Sequence, residues 1–258
     1  MPLAELHNLD LNAPYCDHWR PLIERSLPVL HQNVSVSTLL NQLKPIGFPK
    51  HFVLQEDLPE GEAYESFIFK TNGIPTRDGP HDYFNALCWF LFPQSKIQLN
   101  QIQATQIQRD GVYNQRGPIR DAITIIDENG LLLACSDELW HALTTKNWQR
   151  AFVELREHWH DSQTAVFGHA LIEKLLNPYK AICAHVLRVP QQQNSRFDLK
   201  VVDNWLSEQL NETQLATKPY IPVPIFGIPG WHVGQSDPDF YEDKQVFRPP
   251  QRNHQIAT

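Results

Sequence analysis

The stretch GIPTRDGPHDYFNALCWFLFPQSK, residues 73–96, sets charged and polar side chains directly beside a long apolar run. Gly79 followed by Pro80 is typical of a helix start, because proline fits the first helical turn without losing a hydrogen bond. No glycine or proline interrupts the run until Pro93, which ends it. The pattern predicts a helix over residues 80–92.

This helix has no broad polar face. At about 100° per residue, His81, Asp82 and Asn85 fall within one arc, and apolar side chains fill most of the remainder. An unpaired polar group in such surroundings costs about 1 to 3 kcal/mol, so we expect partners for all three. Capping and core hydrogen bonds are the structural interpretation. Acid/base chemistry or ligand binding is the functional one.

A second helix with buried polar groups is predicted over TAVFGHALIEKLL, residues 164–176. His169 and Glu173 are four residues apart and therefore share a face. A carboxylate beside an imidazole orients it and raises its basicity, or joins it in binding a metal. The structural alternative is a core histidine satisfied by its helix neighbour. The potential metal ligands are His81, Asp82, His169, Glu173 and His185, and the pattern does not decide whether a metal or other cofactor is bound.

Arginines near these helices indicate anion recognition. Arg77 precedes the first helix, and Arg116 and Arg120 precede the run AITII. Guanidinium groups bind phosphate and carboxylate through paired hydrogen bonds. Asp78 and Asp121 directly follow two of these arginines, so ion pairs that brace loops are the alternative. We include Arg77, Asp78, Asn85, Arg116, Arg120 and Asp121 as candidate substrate-binding residues.

The remaining patterns predict an α+β fold. FVLQ (52–55) and YESFIF (64–69) are typical of short strands, AITIIDENGLLLACS (122–136) of a hairpin that turns at Asn129 and Gly130, and ICAHVLRV (182–189) of a buried strand. We expect one domain over residues 1–258, with a small, mostly antiparallel sheet and several buried helices. Residues 218–258, rich in proline and aromatics, are predicted to wrap the surface in extended form, with the aromatic side chains as anchors and without regular structure.

Composition narrows the function classes. Hydrophobic residues make up 41% and charged residues 20% of the chain, as in ordinary globular proteins. The net charge of −7 disfavours a general attraction to nucleic acid or to an anionic membrane. No apolar run is long enough to span a bilayer, and the four cysteines are isolated, so we expect a cytoplasmic protein with reduced cysteines.

Four motifs in order resemble one family. TRDGPHDYFNALCWFLFPQSK, RGPIRDAITIIDENG, FGHALIEKLL and PIFGIPGWHVGQSDPDFYEDKQVFRP are similar to the bacterial domain of unknown function DUF3025, from about Phe52 to Pro249. The resemblance implies that residues 1–250 form one unit, and it brings no established activity. It places the candidate residues inside family motifs and leaves His51, His141 and His160 outside them.

The sequence leaves more than one function open. The first is an enzyme, a hydrolase or transferase for a small anionic or nucleotide-like substrate, with His81, Asp82, His169 and Glu173 as acid/base candidates. The second is a non-catalytic binding or regulatory module that docks a protein partner on its aromatic C-terminal tail. A third, on RNA or single strands, is disfavoured by the net charge.

Overall fold

The computed structural model describes residues 3–30, 34–111, 117–192, 197–237 and 239–250. The fold is α+β, as predicted. Its α-helices are α1 (Arg20–Leu30), α2 (Val36–Leu43), α3 (Tyr64–Thr71), α4 (Pro80–Leu91), α5 (Pro93–Asp110), α6 (Pro118–Asn129), α7 (Asp137–Thr144), α8 (His169–Lys174), α9 (Leu199–Gln209) and α10 (Glu212–Ala216). Its strands are β1 (His51–Leu54), β2 (Gly73–Thr76), β3 (Gly130–Ala134), β4 (Gln163–Val166), β5 (Cys183–Arg188) and β6 (Ile221–Pro224).

The strands form two small sheets. Four of them follow the order β4-β3-β5-β6, in which β3–β4 and β5–β6 are antiparallel and β3–β5 is parallel. The larger sheet is thus mostly antiparallel, as predicted. The other sheet is the parallel pair β1–β2, which α3 connects. Strand β3 lies between β4 and β5 inside the larger sheet and is buried along its whole length.

Helix α4 lies in the core, as its sequence predicts. Residues 82–90 are all buried, and Pro93 both ends the run and begins α5. The rings of Trp19 and Phe84 meet edge-on with centroids 6.1 Å apart, and the ring centroids of Phe92 and Phe167 are 4.9 Å apart. The Cys88 thiol donates a hydrogen bond to the Phe167 carbonyl, so α4 is tied to the segment just before α8. This packing gives the first turn of α4 a fixed position relative to α8.

Two strand predictions were wrong. YESFIF forms α3, whose Ile68 is fully buried and whose C-cap, Asn72, takes a left-handed conformation with φ of 59°. AITII forms part of α6, which buries Ala122, Ile123 and Ile126 along one face. β-branched and aromatic residues favour strands only weakly, and burial of a helical face outweighs that preference. The predicted hairpin is therefore a helix followed by a strand.

Two further boundaries differ from the prediction. The helix expected over residues 164–176 begins only at His169, because residues 163–166 form β4 on the edge of the sheet. In the C-terminal segment, Ile221–Pro224 forms the regular strand β6, where no regular structure was expected. Prolines are tolerated there because β6 is an edge strand. The rest of the described tail turns in short 3-10 helices, and residues 251–258 lie outside the described part.

None of the helices in the described ranges combines the length and the apolar character that crossing a membrane requires.

Candidate functional site

A cavity of about 430 Å³ opens where α3, α4, α5 and α6 meet the start of α8. This volume lies within the range of small-molecule sites. The lining is mostly polar and holds four carboxylates, two arginines and two histidines. The lining residues are Gln55, Leu58, Ala63, Tyr64, Glu65, Arg77, His81, Asp82, Asn85, Gln103, Ile107, Arg120, Thr124, Asp127, Glu128 and His169.

His81 stands between this cavity and an open groove on its outer side. The groove, of about 510 Å³, is lined by Arg77, Gly79, Pro80, His81, Asp82 and Glu173. His81 Nδ1 lies 2.7 Å from Glu173 Oε2, across the packed helices α4 and α8. A carboxylate oxygen only accepts hydrogen bonds, so Nδ1 carries a proton and donates a hydrogen bond to Glu173. This hydrogen bond fixes the ring and leaves Nε2 as its second functional atom.

Glu173 therefore orients His81, and the interpretation that it orients His169 on its own helix was wrong. His169 Nδ1 lies 2.7 Å from the Asp127 carbonyl oxygen, at the end of α6. Because a carbonyl oxygen only accepts, Nδ1 of His169 carries the proton. Burial lowers the pKa of His169 to about 4. At neutral pH its Nε2 is therefore an unprotonated acceptor.

The two imidazoles meet at their Nε2 atoms, 3.2 Å apart, with the rings nearly perpendicular. Since His169 offers a lone pair there, the contact is a hydrogen bond when His81 Nε2 carries a proton. In that form His81 is a cation beside the Glu173 carboxylate and acts as an acid. After His81 releases the Nε2 proton, two lone pairs face each other, and a proton from a water or a hydroxyl relieves the repulsion. The pair can thus both give and take one proton.

Behind the inner wall of the cavity, a network around Lys96 joins the lining residues Asn85 and Asp127. The buried Lys96 ammonium forms an ion pair with Asp127 and donates to Asn85 Oδ1 at 2.8 Å. Burial opposes the charge of each partner, but their mutual attraction prevails: the pKa of Lys96 lies above and that of Asp127 below its usual value. Asn85 in turn donates to the Tyr64 hydroxyl at 3.1 Å. This network holds Asn85, a predicted substrate-binding residue, in one orientation.

Tyr64 and Glu65 begin α3 and bring two further polar groups to the cavity. Burial raises the pKa of Tyr64 well above its usual value, so its hydroxyl stays protonated. Burial also raises the pKa of Glu65, although a hydrogen bond from Asn100 opposes the shift. The cavity thus contains a phenol that remains a hydrogen-bond donor across the physiological pH range.

Arg77 is engaged by Asp82. Its Nε and Nη2 donate to the two carboxylate oxygens at 3.0 Å each, and its backbone N–H donates to the same group at 2.7 Å. These hydrogen bonds raise the pKa of Arg77. Asp82 therefore serves to hold Arg77 at the cavity edge, with its own oxygens occupied. Asp78 points elsewhere: its carboxylate accepts from the Val36 N–H and caps the start of α2.

Arg120 differs from Arg77 because no ion pair joins it to a carboxylate among the described residues. The nearby Asp110 is bound by Arg109, and its pKa is lowered first by that hydrogen bond and further by the charge of Arg120. It lines the cavity from α6, and its Nε is buried without a hydrogen-bond acceptor among the residues that the structure describes. Asp121, the next residue, is exposed and does not line the cavity, so the proposed Arg120–Asp121 pair is not formed. Arg116 lies outside the described residues. One predicted guanidinium is thus left with free hydrogen-bonding capacity in the cavity.

Several residues of the site were not foreseen: Tyr64, Glu65, Asp127 and Glu128 line the cavity, and Lys96 binds Asn85 and Asp127 from behind its wall. Tyr64 and Glu65 were assigned to a strand, and Asp127 and Glu128 to a turn, so neither pair was placed beside α4. The Gly117-Pro118 dipeptide repeats the start signal of α4 and could have revealed α6. Within the described ranges, no group of three or more histidine, cysteine, aspartate or glutamate side chains is arranged to bind a metal ion.

Comparison with known proteins gives one match. The sequence model of DUF3025, described as a protein of unknown function, matches residues 50–252. The chain belongs to the DUF3025 family. No curated protein and no solved structure matches the chain.

The DUF3025 match includes every candidate site residue and begins just before β1. Residues before it nevertheless contact the DUF3025 region closely. The Trp19 indole donates to the Val166 carbonyl at 3.0 Å, and Ser26 Oγ lies 2.6 Å from the Tyr83 hydroxyl on α4. The N-terminal helices thus pack behind the helix that carries His81.

Proposed function

We propose that this DUF3025 protein is an enzyme, a hydrolase or transferase, that acts on a small anionic or nucleotide-like substrate bound in the cavity. The observation that carries the proposal is the 2.7 Å hydrogen bond between His81 Nδ1 and Glu173, which leaves Nε2 for proton transfer beside the cavity. An imidazole oriented by a carboxylate is a recurrent general base and acid in enzymes.

His81 acts as the base in the first step. Its unprotonated Nε2 takes a proton from a water molecule, or from an acceptor hydroxyl in a transferase, as that oxygen attacks an acyl or phosphoryl centre. Glu173 stabilises the imidazolium that forms. The bond to the leaving group then breaks, and His81 returns the proton from Nε2 to that group.

Two neighbouring groups support this role of His81. The neutral His169 accepts a hydrogen bond from the protonated Nε2, so it holds the ring of the acid form in place. The Tyr64 hydroxyl donates a hydrogen bond into the cavity, where it can stabilise negative charge on a reacting oxygen. Arg120 supplies the positive charge that an anionic substrate requires.

The test is a turnover screen with variants that separate geometry from chemistry. Carboxylic esters, amides, phosphomonoesters, phosphodiesters, nucleosides and nucleotides are offered to the wild-type protein. His81→Asn retains an N–H close to the position of Nδ1 and removes Nε2, and Glu173→Gln removes the carboxylate charge. We expect His81→Asn to lower kcat by about 10²- to 10⁴-fold, the usual contribution of a general base, without lowering the melting temperature.

The matched control is His160→Asn, because His160 is 75% exposed and pairs with Glu157 on the surface. It should retain full turnover. Turnover of a substrate that stays within threefold of wild type in His81→Asn would overturn the assignment of His81. If no class is turned over and the protein binds a member of the panel equally well in all variants, the molecule is a binding module instead.

A further inference from the structure

The charges that line the cavity are mostly paired with each other. Arg77 is neutralised by Asp82, and the Asp127 carboxylate by Lys96. Glu65 accepts a hydrogen bond from Asn100, and burial raises its pKa. Arg120 and Glu128 remain without an ion pair in the described part of the chain. A ligand that fills the cavity therefore meets Arg120 as a cation without an ion pair and Glu128 as a carboxylate without one.

Both groups stand on the same face of α6, with Thr124 between them and Asp127 beside them. Arg120 and Glu128 are eight residues apart, which is about 12 Å along a helix at about 1.5 Å per residue. The cavity thus runs along slightly more than two turns of α6, with the cation at the N-terminal end and the carboxylate at the C-terminal end.

The imidazoles lie at the C-terminal end of this face. His169 is held by the Asp127 carbonyl, and His81 Nε2 is 3.2 Å from His169 Nε2. Arg120 is seven residues before Asp127, or about 10 Å along the helix. A group bound by Arg120 is therefore remote from the atoms that His81 can reach.

We infer that Arg120 binds an anionic group of the substrate that does not react, a phosphate or a carboxylate, held about 10 Å along α6 from the bond on which His81 acts. This inference rests on the proposed function and narrows its substrate class. The substrate is an elongated small molecule with a terminal anion. A nucleoside 5′-monophosphate covers such a span from the edge of its base to its phosphate. Glu128 faces the reacting end, where it accepts from an amine or hydroxyl.

The anion need not be a phosphate, because a guanidinium binds carboxylate through the same pair of hydrogen bonds. Two series of ligands distinguish a phosphate from a carboxylate as the bound anion. The first compares nucleosides with their 5′-monophosphates. The second compares the monoamides of linear dicarboxylic acids, from four to ten carbons, with the matching neutral diamides.

Binding is measured by isothermal titration calorimetry on the full chain, so the result does not depend on turnover. In one of the series, we expect the wild-type protein to bind the anionic member about tenfold or more tightly than its neutral partner. Arg120→Gln should abolish this preference and leave the affinity for the neutral partner unchanged. Arg120→Lys should keep part of it. Arg150→Gln is the control, because Arg150 pairs with Glu138 and Glu154 on the surface and does not line the cavity.

The preference for the anion should survive in His81→Asn. A chain that shows the preference and lacks turnover would thus overturn the proposed chemistry and leave the Arg120 site standing. Equal affinities within every pair, or a preference that persists in Arg120→Gln, would overturn the site. So would an optimum at the shortest monoamides, which would place the anion at the imidazoles. The absence of binding by every ligand at millimolar concentration would also overturn it.

Discussion

His169 is an imidazole that the fold keeps uncharged. It is almost completely buried, its Nδ1 proton is held by a backbone carbonyl, and its pKa of about 4 lies well below the usual 6.5. Asp127 favours the charged form, while Lys96 and His81 oppose it. A neutral acceptor is what the protonated His81 needs as a neighbour. Keeping His169 uncharged lowers the stability of the protein at acidic pH.

The first prediction concerns this loss of stability. Between pH 6.5 and 4 the unfolded chain binds a proton at His169 and the folded chain does not, so stability falls as the pH falls through this window. The shift from 6.5 to about 4 corresponds to about 3 kcal/mol. His169→Asn can keep the bond to the Asp127 carbonyl and cannot titrate. Urea unfolding should show the wild type losing about 3 kcal/mol more than this variant between pH 7 and pH 4.

The comparison with His160→Asn separates His169 from the other histidines. That exposed variant should follow the wild-type curve. Parallel curves for wild type and His169→Asn would show that His169 titrates normally, and would remove the neutral acceptor from the proposed chemistry.

A second prediction concerns the buried ion pair. Lys96→Met leaves the Asp127 carboxylate without its cation, and breaking such a pair costs about 3 to 5 kcal/mol. The double variant Lys96→Met, Asp127→Leu removes both charges and should be more stable than Lys96→Met alone. Denaturant unfolding at pH 7 measures both. Lys70→Met is the control, because the Lys70–Glu62 pair is exposed and should contribute less than about 1 kcal/mol. Additive losses in the double variant would contradict the coupling.

At the scale of elements, α6 shows why part of the site was predictable and part was not. α4 was predicted because its apolar run is long and its start and stop signals are clear. α6 has the same Gly-Pro start, but its β-branched AITII run resembles a strand. Packing against α5, α8, α10 and the strands β3 and β5 decides for the helix, and a single sequence does not display that packing. Asp127 and Glu128 were missed for this reason.

The junction between α6 and α8 depends on a glycine. The Gly168 N–H donates to the Gly130 carbonyl at 2.8 Å, which brings the start of α8 against the end of α6. A β-carbon at position 168 would lie 2.5 Å from the Gly130 nitrogen and 2.6 Å from the Asn129 nitrogen. These contacts are with backbone atoms, so no side-chain rotation relieves them. The close approach is what aligns His169 with the Asp127 carbonyl.

The third prediction follows from this approach. Gly168→Ala should destabilise the protein by about 3 kcal/mol, the upper part of the usual range for overpacking, and should weaken ligand binding in the cavity. Gly117→Ala is the matched control, since a β-carbon there meets no atom of the described residues within 4 Å. Chemical denaturation and calorimetry on the folded variants measure the two effects. If Gly168→Ala is as stable as Gly117→Ala, the backbone at the junction can shift to accommodate the β-carbon at little cost, and the prediction is wrong.

At the scale of the whole molecule, the C-terminal segment packs its aromatics into the protein. Phe247 is buried beside Phe152, Phe240 and Tyr241. The Trp148 indole donates to the Arg248 carbonyl at 2.6 Å. The prediction that this segment anchors itself by aromatic side chains matches these contacts. Docking of a protein partner on the segment stays a prediction, and the buried rings are not available for it.

The fourth prediction tests this anchoring. Phe247→Ala should cost about 3 kcal/mol, as expected for truncating a buried phenylalanine. The cavity lies elsewhere, so the affinity of the folded variant for cavity ligands should stay at the wild-type value. Val233→Ala, at a side chain that is 93% exposed, is the control for stability. Loss of cavity binding in folded Phe247→Ala would show that the segment is coupled to the site.

Local signals sufficed for the class of the fold, and they singled out some of the residues that line the cavity. His81, Asn85 and His169 were recognisable because polar groups on apolar helices need partners. Their actual partners come from other elements: Glu173 reaches His81 across two helices, and Asp127 reaches His169 through its backbone. Pairings between distant parts of a chain depend on tertiary packing, and helical spacing within one segment does not contain that information.

One feature of α6 also constrains how this chain can change in length. The helix ends at Asn129 and β3 begins at Gly130, so no loop separates them. The junction has no loop that could absorb an inserted residue, so an insertion would turn the helix by about 100° relative to the sheet. Arg120, Thr124 and Glu128 would leave the cavity together. Insertions and deletions in functional members of the family should therefore be absent from this junction and occur in segments that do not contribute residues to the site.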